Sequence, residues 1–248
     1  MPALPAGPRG ARTLHSNHAG GSITHRGGIL FDFGGTLDGD GLHWPYRFYL
    51  AYRAAGGTLP QEEFEPRFAS SDIALAALPG VRQLGFRAAI ETQASLLTRE
   101  LPNGEATLAR RMVDTLRASA LAVVDRNRPM LERLGSRYRL GVVSNFTGNL
   151  EPVLEELGVR RLFAAVSDSA VVGVAKPDPR IFLRTLEVLG VAPADAWMAG
   201  DNPDADIRPS RALGMRTCWV APAARPLPEG LSPTVRVERL TDLEPHLT

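Results

Sequence analysis

The stretch that most limits what this chain can fold into is Ile29-Leu30-Phe31-Asp32-Phe33-Gly34-Gly35-Thr36-Leu37-Asp38. An uncharged apolar run of strand type ends in a carboxylate, and two glycines and a hydroxyl follow at once. A run without polar alternation reads as a strand buried on both faces, the setting of a parallel sheet. Asp32 then stands at the carboxyl end of that strand, the edge at which open α/β sheets bind ligands. The Gly34-Gly35 pair lets the backbone turn sharply and come close to a ligand.

The rest of the chain supplies the layers such a strand needs. Residues 1–27 are rich in Gly, Pro, Arg and His and show no hydrophobic period. They read as a disordered extension without the apolar core of a signal peptide, and His15, His18 and His25 within it are not taken as a metal site. From Trp44 to about Val124 the pattern is helical. Trp44–Ala55 stops at Gly56-Gly57, and Phe86–Leu101 and Glu105–Val123 repeat the spacing, with Asn103 as a cap. An all-helical insert of roughly eighty residues between strands breaks the βαβ rhythm and reads as a small separate domain, 43–124.

Strands and helices then alternate. A short helix is expected over Asn127–Leu134. Strands follow at Tyr138–Ser144, Phe163–Ser167, Trp197–Ala199 and Arg216–Val220, with a short edge strand at Val235–Val237. The intervening helices end at Gly158, Gly190 and Gly214, the first of them capped by Thr147. The fold expected is α/β: a doubly wound parallel sheet made of 28–42 and 125–248, carrying a small all-helical domain.

Composition excludes several classes. A net charge of +1 gives no drive toward nucleic acid or an acidic membrane surface, and no apolar run approaches membrane-spanning length. The single cysteine, Cys218, cannot form an internal disulfide and lies in an apolar strand, so a reducing, cytoplasmic setting is the expectation. Arginine outnumbers lysine 27 to 1. The one lysine, Lys176, therefore invites a chemical reason, since an ammonium is a compact point charge where a guanidinium is a wide fork.

Four signals fall in order at strand ends: Asp32, Ser144, Lys176 and the segment Gly200-Asp201-Asn202-Pro203-Asp204-Ala205-Asp206. In identity, order and context they resemble the four motifs of the haloacid dehalogenase superfamily, over about Gly28 to Val220. The resemblance implies that the helical insert is the family's cap, which covers the site and selects the substrate. It implies a Mg²⁺-dependent hydrolase acting on a small phosphorylated metabolite, with Asp32 attacking in line to form an aspartyl-phosphate. Lys176 and Ser144 would hold a phosphoryl oxygen, Thr36 would brace the nucleophile loop, and Asp32, Asp201, Asp206 and the carbonyl of Gly34 would serve the metal. Asn145, His43 and Arg47 join Ser144 and Lys176 as expected substrate contacts, with Trp44 and Tyr46 as further pocket candidates.

The physics of phosphoryl transfer fits this set. A phosphate dianion repels a carboxylate nucleophile, and a hard cation on carboxylate oxygens offsets that repulsion. One position departs from the family's pattern. Where the resemblance implies a general acid and base two residues after the nucleophile, this chain has Gly34. Glycine keeps a carbonyl for the metal and loses proton transfer, a contribution of typically ~10²–10⁴-fold. The consequence would be slow turnover, a substrate whose leaving group needs no proton, or a replacement acid among Asp38, Asp40 and His43. A phosphate-binding protein with negligible turnover is the alternative. A carbon–halogen hydrolase is third, because that chemistry needs no metal and Asp201 is retained. A Schiff-base branch is disfavoured, because the expected cap contains no lysine.

Overall fold

The computed structural model of the protein describes residues 25–102 and 104–247. Six strands form one sheet: β1 (Gly28–Phe31), β2 (Arg139–Ser144), β3 (Ala165–Asp168), β4 (Ala196–Gly200), β5 (Arg216–Val220) and β6 (Val235–Val237). Their order is β3-β2-β1-β4-β5-β6, and every adjacent pair is parallel. The chain winds outward from β1 to β3, returns to β4 beside β1, and winds outward again. The switch point of the topology therefore lies between β1 and β4, where the crevice of such a sheet opens.

Side chains alternate to the two faces of the sheet, and both faces are covered. Ile29 and Phe31 of β1 join Leu140, Val142, Trp197 and Cys218 in one core. Leu30 points the other way, into a core with Val143, Met198, Ile181, Phe182 and Leu186. Full burial of each such side chain contributes about 1.5–3 kcal/mol, so the double-sided burial explains why these strands show no polar alternation. Burial also pushes the Cys218 thiol pKa up, so it sits as an inert apolar side chain.

Between β1 and β2 the described residues form four α-helices: α1 (Trp44–Ala54), α2 (Gln61–Ala76), α3 (Phe86–Thr98) and α4 (Ala106–Gly135). Helix α2 has no counterpart in the helices read one by one from the sequence; Pro66 lies inside it and interrupts the pattern. Aromatic pairs knit the insert together, with Phe48 5.0 Å from Phe68 and Tyr52 5.1 Å from Phe64 between ring centroids. The two helices expected over Glu105–Val123 and Asn127–Leu134 are one continuous helix. The polar run Asp125-Arg126-Asn127 looks like a break, but it is where α4 grips the core. Asn127 donates to the Leu37 carbonyl (3.0 Å) and Arg126 pairs with Asp40 (2.5 Å). The boundary expected at 124/125 thus falls inside a helix.

After β2 come α5 (Leu150–Glu156), α6 (Ser169–Val172), α7 (Pro179–Leu189) and α8 (Arg208–Ala212). The cap expected of Thr147 is supplied otherwise: Asp168, at the end of β3, accepts from the backbone of Gly148 (2.9 Å) and Leu150 (3.1 Å). Asn103 and residues 1–24 lie outside the described residues, so the Asn103 cap and most of the 1–27 extension do too. Of that extension, Arg26 donates its backbone N–H to the Arg137 carbonyl (2.8 Å).

Candidate active site

The site is built on the carboxyl ends of β1, β2 and β4. The Asp32 N–H donates to the Ala199 carbonyl (2.9 Å), carrying the β1–β4 ladder one residue further and fixing the backbone of the carboxylate. Ser144, the last residue of β2, donates its hydroxyl to Asp32 Oδ1 (2.9 Å). Lys176 Nζ donates to the same oxygen (2.6 Å) and to Asp206 Oδ1 (2.7 Å). Among the described residues nothing donates to Asp32 Oδ2. One oxygen of this carboxylate is clamped and the other is free.

Lys176 is buried. Burial opposes its charge, but Asp206 and then Asp32 outweigh that, and its pKa is pushed up. Its loop is held by Asn145, whose amide donates to the Lys176 carbonyl (2.9 Å) and accepts from the Lys176 N–H (2.7 Å). Both ends of the Asn145 side chain are thus engaged with the backbone of Lys176.

Asp201 follows β4 and Asp206 closes the next turn, where the Asn202 N–H donates to Asp206 Oδ2 (2.9 Å). Gly35 is required here twice over. Its φ is +95°, and a Cβ on it would lie 2.8–2.9 Å from the Asp201 carboxylate. The Thr36 hydroxyl approaches Asp201 Oδ1 at a long 3.4 Å. The backbone carbonyl of Asp201 accepts from Trp219 Nε1 and from Arg225, each at 3.0 Å. Sequence reasoning singles out neither residue. Trp219 pairs with Gly200 across the β4–β5 register, and Arg225 follows the carboxyl end of β5; that position at a strand end is the available signal.

The turn after the glycines is tied down. Asp38 is fully buried and accepts from the Gly35 N–H (2.8 Å) and from Arg47 (2.7 Å). Arg47 reaches back from α1 and lies over the Trp44 ring, 4.6 Å from its centroid. Asp40 is held by Arg126. His43 is exposed beside Tyr46 at the start of α1, and its pKa is lowered, first by partial burial of the ring and then by Arg225. Gly34 has φ −74° and ψ 110°, a conformation open to any residue. The one atom a Cβ there would meet is Trp44 Cδ1, at 3.7 Å.

Asp32, Asp201 and Asp206 each offer an oxygen, all within 4.8 Å of one another. Three buried carboxylates share one ammonium. The Asp201 pKa is pushed well up by burial and by Asp32 and Asp206, and that of Asp206 is pushed up to about 6 by burial despite Lys176. Hard oxygen donors, enclosed and short of positive charge, are a donor set that fits a divalent cation such as Mg²⁺.

A doubly wound sheet, a helical cap and an acidic cluster at the switch point define a hydrolase of the haloacid dehalogenase type. The sequence pattern of haloacid dehalogenase-like hydrolases matches residues 27–214, and the chain belongs to that family. It is 43% identical over 86 residues to a phosphoserine phosphatase of Thermus thermophilus, covering 35% of this chain and 34% of that one. It is 35% identical over 117 residues to the pyrimidine 5'-nucleotidase YjjG of Escherichia coli, covering 46% and 52%. The matches span about half or less of these curated relatives. The fold is similar to that of the HAD-hydrolase YfnB from Bacillus subtilis bound to magnesium, with a TM-score of 0.58 at 20% identity over 91% of this chain and all of that one. No helix among the described residues is long and apolar enough to cross a membrane.

Proposed function

We propose that the protein is a Mg²⁺-dependent phosphohydrolase of small phosphorylated metabolites, with Asp32 as nucleophile. The observation that carries this reading is the split use of the Asp32 carboxylate. Ser144 and Lys176 fix Oδ1, which orients the group and leaves Oδ2 to attack phosphorus in line. The P–O bond to the leaving group breaks as the Asp32–phosphorus bond forms, and water then cleaves the aspartyl-phosphate. Lys176 and Ser144, the donors nearest that carboxylate, are placed to stabilise the phosphoryl oxygens. Asn145 positions Lys176, and Arg47 positions the turn through Asp38. Asp32, Asp201 and the Gly34 carbonyl would hold Mg²⁺, with Asp206 orienting Lys176. When bound, the cation supplies the charge that lets a phosphate dianion approach three carboxylates. The relatives named as phosphatase and nucleotidase, and the magnesium of the Bacillus subtilis structure, support the same reading.

Gly34 sets the limit on turnover. Position 34 carries no acid, and the neighbouring Asp38 and Asp40 are held by arginines. Leaving groups that depart without a proton, as in acyl or aryl phosphates, are therefore the favoured substrates, and alkyl phosphates are turned over slowly. Carbon–halogen hydrolysis is disfavoured by the charge-deficient acidic cluster, which that chemistry does not use.

The test is a hydrolysis screen of acyl, aryl and alkyl phosphates with and without Mg²⁺. Activity that is absent from every ester, or indifferent to chelation, would overturn the proposal. Calorimetry should show Mg²⁺ binding in the wild type and a loss of at least about tenfold in affinity for Asp201→Asn, because a ligand carboxylate becomes an amide. Equal affinities would remove Asp201 from the metal site. Lys176→Arg should lose roughly 10²-fold or more in kcat despite keeping the charge. The longer and wider guanidinium has to displace buried neighbours to reach the two oxygens that the ammonium meets at 2.6 and 2.7 Å. Full retention of rate would show that charge alone suffices there.

A further inference from the structure

Beside the acidic cluster lies a cavity of about 410 Å³ between the cap and the sheet. The phosphate-binding residues do not line it. It begins one residue past Ser144, with Asn145, Phe146 and Thr147, and one wall is Trp44, the residue packed nearest the face of Gly34. On the phosphohydrolase reading, this is the side of the site on which a leaving group attached to phosphorus would lie. The walls are mostly carbon: Trp44 and Phe86 hold parallel rings 6.5 Å apart, and Phe48, Phe68 and Ile90 fill in around them.

Two groups in this cavity are polar acceptors without partners. Asp72, on α2, lines the cavity, remains open to solvent and forms no hydrogen bond or ion pair among the described residues. Its pKa is raised by partial burial alone, with no neighbouring charge contributing. Arg82, the cation that also lines the cavity, donates instead to the Ala170 carbonyl (3.3 Å). Gln93, on α3, is the second. Ser71 spends its hydroxyl proton on the Phe68 carbonyl (2.7 Å), so it can only accept from Gln93, which fixes the amide nitrogen toward Ser71 (2.9 Å). The Gln93 oxygen is left over, in a side chain that lines the cavity.

We infer, resting on the phosphohydrolase reading, that the leaving group is a phenol whose apolar ring carries a cationic or multiply donating nitrogen, which Asp72 and the Gln93 oxygen receive inside the aromatic cavity. An apolar body satisfies the walls, and a nitrogen with two or more N–H groups satisfies both acceptors. A carboxylate or a second phosphate at that end would meet Asp72 as a like charge.

The test separates binding from turnover. Two non-hydrolysable probes are compared by calorimetry in the presence of Mg²⁺: 4-(2-aminoethyl)benzylphosphonate and 4-propylbenzylphosphonate, which differ only in ammonium against methyl. The ammonium probe should bind roughly ten- to hundredfold more tightly, the scale of a hydrogen bond to a charged group. Asp72→Asn should bring the ratio of the two affinities toward one. Asp72→Lys should invert the preference in favour of 4-(2-carboxyethyl)benzylphosphonate, a gain that misfolding cannot imitate. Equal binding of the two probes to the wild type, or an unchanged ratio in Asp72→Asn, overturns the inference. Hydrolysis of the corresponding aryl phosphates is read in parallel. Turnover without ammonium preference sinks this inference alone, whereas preference without turnover sinks the phosphohydrolase reading alone.

Discussion

Gly34→Asp is expected to accelerate hydrolysis of alkyl phosphates, by up to the ~10²–10⁴-fold scale of general acid–base catalysis. The backbone at Gly34 already has φ and ψ values that an L-residue adopts, and a Cβ would make an ordinary contact with Trp44 Cδ1 at 3.7 Å. No main chain has to move to admit the Cβ. The new carboxyl gives a proton to the departing alkoxide and later takes one from the attacking water. Aryl and acyl phosphates gain less, because their leaving groups depart unprotonated, so the dependence of rate on leaving-group pKa should flatten. Steady-state rates over a series of esters measure this, with circular dichroism to check folding. Gly34→Ala fills the same space without an acid and should show none of the gain. A folded, Mg²⁺-binding Gly34→Asp protein with the wild-type slope would mean that another group already transfers the proton, and His43 would be the first to test.

The second large effect is on stability. Arg47→Met should destabilise the protein by about 3–5 kcal/mol, because it strands the Asp38 carboxylate at 0% exposure without its countercharge. The guanidinium carbon also lies over the Trp44 ring, so part of the loss is that cation–π contact. Pairing it with Asp38→Asn should recover part of the loss, since the uncompensated charge is then gone. Urea denaturation of the four proteins of the cycle provides the numbers. A single-mutant loss under about 1 kcal/mol would show that water reaches Asp38 and that the pair is no deeper than a surface salt bridge.

The parts of this molecule that can be read from its sequence are those that act through neighbours in the chain. Apolar runs ending in Asp32, Ser144 and Asp201 state both a buried strand and the edge at which each side chain emerges. Winding the sheet then brings those edges together, and Lys176 reaches them from the loop before α7. What is illegible depends on which loops meet in space. Asn145 is readable as a pocket residue, but not the hold its amide has on both sides of Lys176. The ion pair of Arg47 with Asp38 across the turn is likewise invisible in the sequence. Helix α4 reads as two helices because Asp125-Arg126-Asn127 and Pro129 carry the composition of a boundary, and only the core surface they grip explains them. Arg225 gives no signal beyond its place after a strand.

The continuity of α4 has a mechanical meaning. The chain crosses between sheet and cap twice, and the crossings differ in stiffness. One is the short turn with Gly39, Asp40 at φ +46° and Gly41 at φ +83°. The other is a rod of 30 residues, roughly 45 Å long, whose lower end is bolted to the sheet by Met130, Leu131 and Leu134. A rod resists stretching far more than bending, while a turn of this kind behaves as a strap. Any motion of the cap would thereby be confined to a swing about the α4 axle, with sliding along it suppressed. Trp44 sits just beyond the strap, where such a swing has its effect. Such a swing would move the gap beside Gly34 and the aromatic wall of the neighbouring cavity together.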